Sequence, residues 1–196
     1  DEEVEYREVQ SKLYYVRYKL DQQSFDALGE PATKYWTLTD LLNKAKSTVK
    51  NFLNKIKTDK SNSIEKTIIG NVTEEGALFL TQLTGVEITA EYTHTIDRSS
   101  FNHVINNHGN ESIEESRGQL AITESDFELI IDVLNQPDEI MASGVTHQGK
   151  ETITYSKQLN DGTIIYLEEI RTGRKELSLV TMRKMKGKTG LESSLT

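Results

Sequence analysis

The feature that most constrains this chain is a change of period near residue 150. Upstream, apolar residues recur mostly at helical spacings of three and four. Downstream, three β-rich runs follow one another: Thr152 to Ser156 (TITYS), Thr163 to Ile170 (TIIYLEEI) and Leu177 to Met182 (LSLVTM). Asn160-Asp161-Gly162 and Thr172-Gly173 separate them as turn signals, because Asn, Asp and Gly accept the backbone angles that tight hairpins need. The tail should fold as an antiparallel meander, with a fourth short strand near Ile140 to Val145. Helices followed by an antiparallel sheet define the α+β class. The expected fold is therefore helices packed on a four-stranded antiparallel β-meander.

The upstream part divides further. Residues 1–27 read as a helix, with Val4, Leu13, Val16, Leu20 and Phe25 as apolar positions, while Tyr6, Tyr14, Tyr15 and Tyr18 keep a strand open as the alternative. Gly29-Glu30-Pro31 breaks that segment. A second helix is expected from Asp40 to about Lys57, where Leu41, Leu42, Ala45, Val49, Phe52, Leu53 and Ile56 form one stripe. Its other face is rich in lysine, for which a solvated face is the preferred reading over RNA contact. The polar run from Asp59 to Ser63 sets a boundary. Residues 1–60 are expected to be a helical N-terminal extension, and residues 61–190 the α+β domain. Within that domain, Ile64 to Val72 reads as a strand, and Thr73 starts a helix that Gly85 stops. Val86 to Ile96 then reads as a strand. Asp97 caps a helix over 98–108 ended by Gly109, and Thr123 caps one over 125–135 stopped near Pro137.

Composition removes several functions. The chain has 196 residues, enough for a core without staples, and no cysteine. Disulfides, thiolate chemistry and Cys-based zinc sites are excluded. No run of about 18 apolar residues marks a membrane span. The acidic opening does not read as a signal peptide, and a chain that begins at Asp1 is expected to be an excised piece of a longer one. The formal charge of −8 opposes nucleic-acid binding, which needs Lys and Arg. Its distribution softens that objection, since residues 147–190 carry nine Lys/Arg against five Asp/Glu.

There is no HExxH, no GxxxxGK[ST], no GxGxxG and no GxSxG, so zinc protease, phosphate-cradle and nucleophile-elbow chemistries have no anchor. His103 and His108 are five apart, about 140° around a helix, and do not form an i, i+4 metal pair. No metal or cofactor is expected. What remains is histidine with basic and hydroxyl residues. That set suits RNA cleavage, because the substrate's own 2′-hydroxyl is the nucleophile and the protein needs only proton transfer and charge stabilisation. Histidine titrates near neutrality, and arginine matches two phosphate oxygens. Each residue also has a plainer reading. His103 is then a solvated helix residue, His108 a C-terminal cap, Arg117 a partner of Glu114 or Glu115, and Thr181 an ordinary strand residue.

Several short segments, in order, resemble the phage-type barnase–EndoU–colicin–RelE-like nucleases. They are LTGV (83–86), NHVINNHG (102–109), ESRGQLAITESDF (115–127), PDEI (137–140), YLEEIRTGRK (166–175) and TMRK (181–184). The resemblance spans roughly residues 64–185. It implies an endoribonuclease with RNA as substrate, often tRNA, a toxin role and a product bearing a 2′,3′-cyclic phosphate. A cognate immunity protein, phage origin or delivery into a target cell, and action in the cytoplasm go with it. The matching positions nominate His103, His108, Arg117, Arg171 and Thr181 as catalytic. Lys157, Tyr166, Arg174 and Lys184 are nominated as substrate-binding. His103 and Arg171 are expected to face one cleft. Two other readings stay open: a non-catalytic RNA- or protein-binding module of a phage or mobile element, and an ADP-ribosyltransferase-like toxin built on Glu168-Glu169.

Overall fold

The structure is a computed structural model that describes residues 16–17, 38–59 and 66–187. The helices are α1 (Leu38–Thr58), α2 (Glu74–Thr84), α3 (Arg98–His108), α4 (Glu111–Ser116), α5 (Glu124–Glu128) and α6 (Ile130–Asn135). The strands are β1 (Val16–Arg17), β2 (Lys66–Val72), β3 (Thr93–Asp97), β4 (Gln119–Leu120), β5 (Glu139–Val145), β6 (Glu151–Gln158), β7 (Gly162–Arg171) and β8 (Glu176–Lys186).

β5 to β8 pair antiparallel in chain order, but they do not make the whole sheet. Seven strands lie in the order β1-β2-β3-β8-β7-β6-β5, and β4 joins the far end of β8. The extension comes from β3, which runs parallel to β8 through Thr93↔Glu176 and Thr95↔Ser178. A sequence pattern carries no signal for such a long-range parallel pair. The four-stranded sheet expected from the tail is thus part of a larger one.

The caps fall where residue chemistry puts them. Thr73 accepts from Gly76 N at 2.9 Å to start α2, and Gly85 ends it at φ 73°. Asp97 and Ser100 form a capping box at the start of α3. Two expectations fail. The strand over 86–96 shrinks to Thr93–Asp97, because Thr81 Oγ1 accepts from Ile88 N at 2.9 Å and donates to Ile88 O at 3.2 Å, folding that segment back on α2. The helix over 125–135 splits into α5 and α6 at Leu129, whose N–H reaches back three residues to Asp126 O. The helix expected over 1–27 lies outside the described residues apart from Val16–Arg17, which form β1 against Val72 and Asn71 of β2.

One core underlies the sheet. Val49, Phe52, Leu53 and Ile56 of α1 are buried in the same cluster as Ile69, Leu80, Val104, Phe127, Ile131, Tyr155 and Tyr166. The core therefore continues across the polar run at 59–63. Register assigns the faces of β7 and β8. Ile164, Tyr166, Glu168 and Ile170 oppose Lys184, Met182, Leu179 and Leu177 on the core side. Ile165, Leu167, Glu169 and Arg171 oppose Arg183, Thr181, Ser178 and Glu176 on the other, and Val180 is the extra residue of a bulge between Thr181 and Leu179.

Three polar groups sit inside this core. His94 Nδ1 lies 2.8 and 2.9 Å from the two Glu168 oxygens, and Tyr166 donates to Glu168 at 3.0 Å. All three side chains are fully buried. Removing one partner strands the others away from water. Glu168→Ala should cost about 3–5 kcal/mol of stability, read as a lower urea midpoint at unchanged slope.

Candidate active site

α3 runs from β3 towards the end of the sheet where β4 meets β8. It stops at Gly109, where an added Cβ would lie 2.4 Å from the Ile105 carbonyl oxygen. Asn110 then caps α4 by accepting from Ile113 N at 3.2 Å. This turn carries Glu114 back beneath the end of α3. The Glu114 side chain is fully buried, unlike its acidic neighbours Glu111 and Glu115. His108 Nδ1 lies 3.2 Å from Glu114 Oε2, and Arg117 Nη1 donates to Oε1 at 2.7 Å and to the Asn107 carbonyl at 3.2 Å. His108 is held further by Ile122 N, which donates to its carbonyl at 2.7 Å.

A carboxylate only accepts, so with Glu114 ionised His108 carries its hydrogen on Nδ1 and keeps Nε2 basic. The Arg117 side chain is half exposed, and its donors other than Nη1 have no partner among the described residues. Arg183, on the non-core face of β8, adds a second cation near Glu114. Burial pushes its guanidinium below the ordinary value, and the Glu114 carboxylate draws it back. Thr181 shares that strand face, and its hydroxyl is buried with no hydrogen-bond partner among the described residues. The arrangement offers an oriented imidazole and a half-exposed guanidinium at the end of α3.

A family model described as phage-Barnase-EndoU-ColicinE5/D-RelE like nuclease3 matches residues 67–191. The chain belongs to this nuclease family. No curated protein and no solved structure matches it. The matched span holds all nine nominated residues and every strand from β3 to β8; α1 lies outside it.

Within this nuclease domain the nominated residues separate into groups. Arg171 lies at the opposite end of α3 from His108. It donates to Glu169 at 2.6 Å and to Asp97, the N-cap residue of α3, at 3.4 Å, with Glu176 at 3.9 Å. Eleven residues of helix separate Asp97 from His108, about 16 Å. A single phosphate does not span that distance, so Arg171 and the His108 cluster do not serve one cleft position. Arg171 is instead the centre of an ion-pair network that Lys66 joins through Glu176 and Lys150 through Glu169. Arg174 is exposed in the 3-10 turn Thr172–Arg174 beside it.

Three substrate-binding nominations are otherwise engaged. Tyr166 is fully buried in the core. Lys184 is 8% exposed and pairs with Asp126 at 3.2 Å and Asp161 at 2.8 Å. Lys157 donates to the Gln136 carbonyl at 2.6 Å. His103 is exposed on α3, and Asn107 Nδ2 donates both to its carbonyl at 2.9 Å and to its Nδ1 at 3.0 Å. The carbonyl contact fixes the amide orientation, since a carbonyl only accepts. Nδ1 is then an acceptor, and the neutral ring presents Nε2–H as a donor. Glu114 was expected only as a partner of Arg117, which it is, and not as the acceptor for His108; Arg183 was not nominated. The spacing of six from His108 to Glu114 was the available signal, hidden among three neighbouring glutamates. Among the described residues no group of three or more His, Asp or Glu is arranged to hold a metal, and no helix is long and apolar enough to cross a membrane.

The Arg171 network makes a pH prediction. Burial opposes ionisation of Glu169 and Asp97. Hydrogen bonds from Arg171 and Lys150 to Glu169, and from Ser100 and Ser99 to Asp97, outweigh it, and both carboxyls fall below their ordinary range. A depressed folded pKa contributes stability above the unfolded value and loses it as pH falls through the folded one. Urea midpoints should therefore drop from about pH 4 downward. Arg171→Ala should lower the midpoint at neutral pH and flatten that acid dependence, with little change in RNA cleavage.

Proposed function

We propose that this nuclease-family chain is a metal-independent endoribonuclease, a toxin acting on tRNA or other cellular RNA. The observation that carries the reading is the bonded set His108–Glu114–Arg117, a base oriented by a buried carboxylate beside a half-exposed guanidinium. In this reading His108 Nε2 takes the proton of a ribose 2′-hydroxyl. The 2′-oxygen bonds to phosphorus and the P–O5′ bond breaks. Arg117 and Arg183 stabilise the phosphorane charge, and the Thr181 hydroxyl donates to a phosphate oxygen. The departing 5′-oxygen takes its proton from water. The product is a 2′,3′-cyclic phosphate and a free 5′-hydroxyl. Residues 61–190 carry the activity, and α1 braces their core. A cognate immunity protein covering the site, and phage origin or delivery into the cytoplasm of a target cell, complete the reading.

Incubation with total cellular RNA in EDTA tests it. Cleavage, with tRNA among the fragments, is expected. Loss of cleavage in EDTA that Mg²⁺ or Zn²⁺ restores would overturn the metal-independent reading. RNA that is retained but left intact would instead make the chain a binding module.

A further inference from the structure

From Leu41 to Thr58, α1 carries five lysines and no Asp or Glu, in a chain of formal charge −8. Solvated helices usually intersperse signs, because opposite charges at i, i+4 support the helix; this one does not. Lys46 pairs with Asp132 at 2.7 Å and Lys57 with Glu124, both on the helices beneath. Lys44, Lys50 and Lys55 are exposed, and their ammonium groups have no partner among the described residues. Lys44 and Lys55 are eleven residues apart, about 16 Å along the helix and within roughly 20° of each other around it. Lys50 flanks the other side of the face, and Asn43, Ser47, Asn51 and Asn54 are exposed between them.

The face points to one kind of partner. A membrane surface needs exposed apolar side chains to insert or a denser basic cluster than three lysines, and a protein interface needs an apolar or aromatic centre. Between Asn43 and Thr58 the apolar residues Ala45, Val49, Phe52, Leu53 and Ile56 are all buried. Spaced ammonium groups flanking amides and a hydroxyl match a sugar-phosphate backbone, with lysine on phosphate and asparagine on ribose hydroxyls. α3 begins beside the C-terminal end of α1. Arg98, the first residue of α3, donates to the Ile56 and Asp59 carbonyls at 3.1 and 3.4 Å. α3 itself has no acid and exposes Asn102, His103, Asn106 and Asn107 on the way to His108.

We infer that the outer face of α1 is a backbone-binding surface for an extended RNA strand whose cleaved bond lies at the His108–Glu114–Arg117 cluster. The inference rests on the ribonuclease reading. The test is the full chain with Lys44→Gln, Lys50→Gln and Lys55→Gln together. These side chains are exposed, so the thermal midpoint should hold. Fluorescence anisotropy with a labelled single-stranded RNA of roughly 16 nucleotides, in EDTA and a His108→Ala background, reads binding. Affinity should fall at least about tenfold, and the slope of log affinity on log salt should lessen by about 2, at about 0.7 for each phosphate no longer neutralised. Without the His108 change, the triple variant should raise KM on long RNA and leave cleavage of a dinucleoside monophosphate unaltered. Equal affinity and equal salt slope for the two chains would overturn the inference, as would binding to phosphatidylserine vesicles without binding to RNA. Should no RNA be cleaved, the ribonuclease reading fails, and the anisotropy comparison still decides this one.

Discussion

His108→Ala should lower RNA cleavage by about two to four orders of magnitude, the range expected for loss of a positioned proton-transfer group. The His108 side chain is 17% exposed and contributes little to the core, so the urea midpoint should move far less than the rate. Glu114→Gln isolates the orienting role. An amide can accept from Nδ1–H or donate to Nδ1, so the tautomer is no longer fixed. Activity should fall, while RNA affinity remains close to that of the native chain. Truncating His103 should cost less than truncating His108, because its neutral ring offers a hydrogen bond and no base. Equal losses for the two histidines would mean that the Glu114 contact does not select the base.

The second large effect concerns residues 1–60. They were expected to be an extension outside the α+β domain, yet Val49, Phe52, Leu53 and Ile56 are buried in the shared core. Each such side chain contributes about 1.5–3 kcal/mol, so four together rival the roughly 5–15 kcal/mol net stability of a whole domain. A chain of residues 61–196 should therefore be largely unfolded, seen as loss of a cooperative urea transition and of the near-ultraviolet signal of its tyrosines. Phe52→Ala alone should cost about 3–5 kcal/mol. If the truncated chain unfolds cooperatively at the midpoint of the full one, α1 is an appendage after all.

Local signals in this sequence were readable where the physics is local. Asn160-Asp161-Gly162 lies at the β6–β7 turn, and the three β-rich runs fall inside β6, β7 and β8. Asp97 and Gly109 bound α3 because caps and stops depend on one or two residues. Long-range pairing was invisible. Nothing in Thr93–Asp97 announces a parallel neighbour more than 80 residues away, so the sheet came out larger than its tail suggested. Burial on both faces explains why some nominated residues lie away from solvent. β7 is buried at nearly every position, so period two gives no exposed side, and Tyr166 lies in the core. Lys184 follows the same logic, with Asp126 and Asp161 supplying the counter-charge that lets it stay there.

Arg171 and Arg117 show what charge alone conceals. Both are arginines beside acids in sequence. Arg171 meets Asp97, Glu169 and Glu176, which consume its fork. Arg117 meets one buried glutamate through one nitrogen and keeps half its side chain in solvent. Only the number of carboxylates brought in from other elements distinguishes a structural cation from one left for a phosphate.

In the proposed chemistry the His108–Glu114–Arg117 cluster cleaves RNA through the substrate's own 2′-hydroxyl. The most direct measurement pairs an oligoribonucleotide with the same strand lacking a single 2′-hydroxyl at the cleaved position. Both are incubated with the native chain in EDTA, and the products are weighed by mass spectrometry. The expected result is a 2′,3′-cyclic phosphate end from the first strand and no cut at that position in the second. Cleavage of the deoxy-substituted strand at the same bond, or a product bearing a 5′-phosphate, would contradict it.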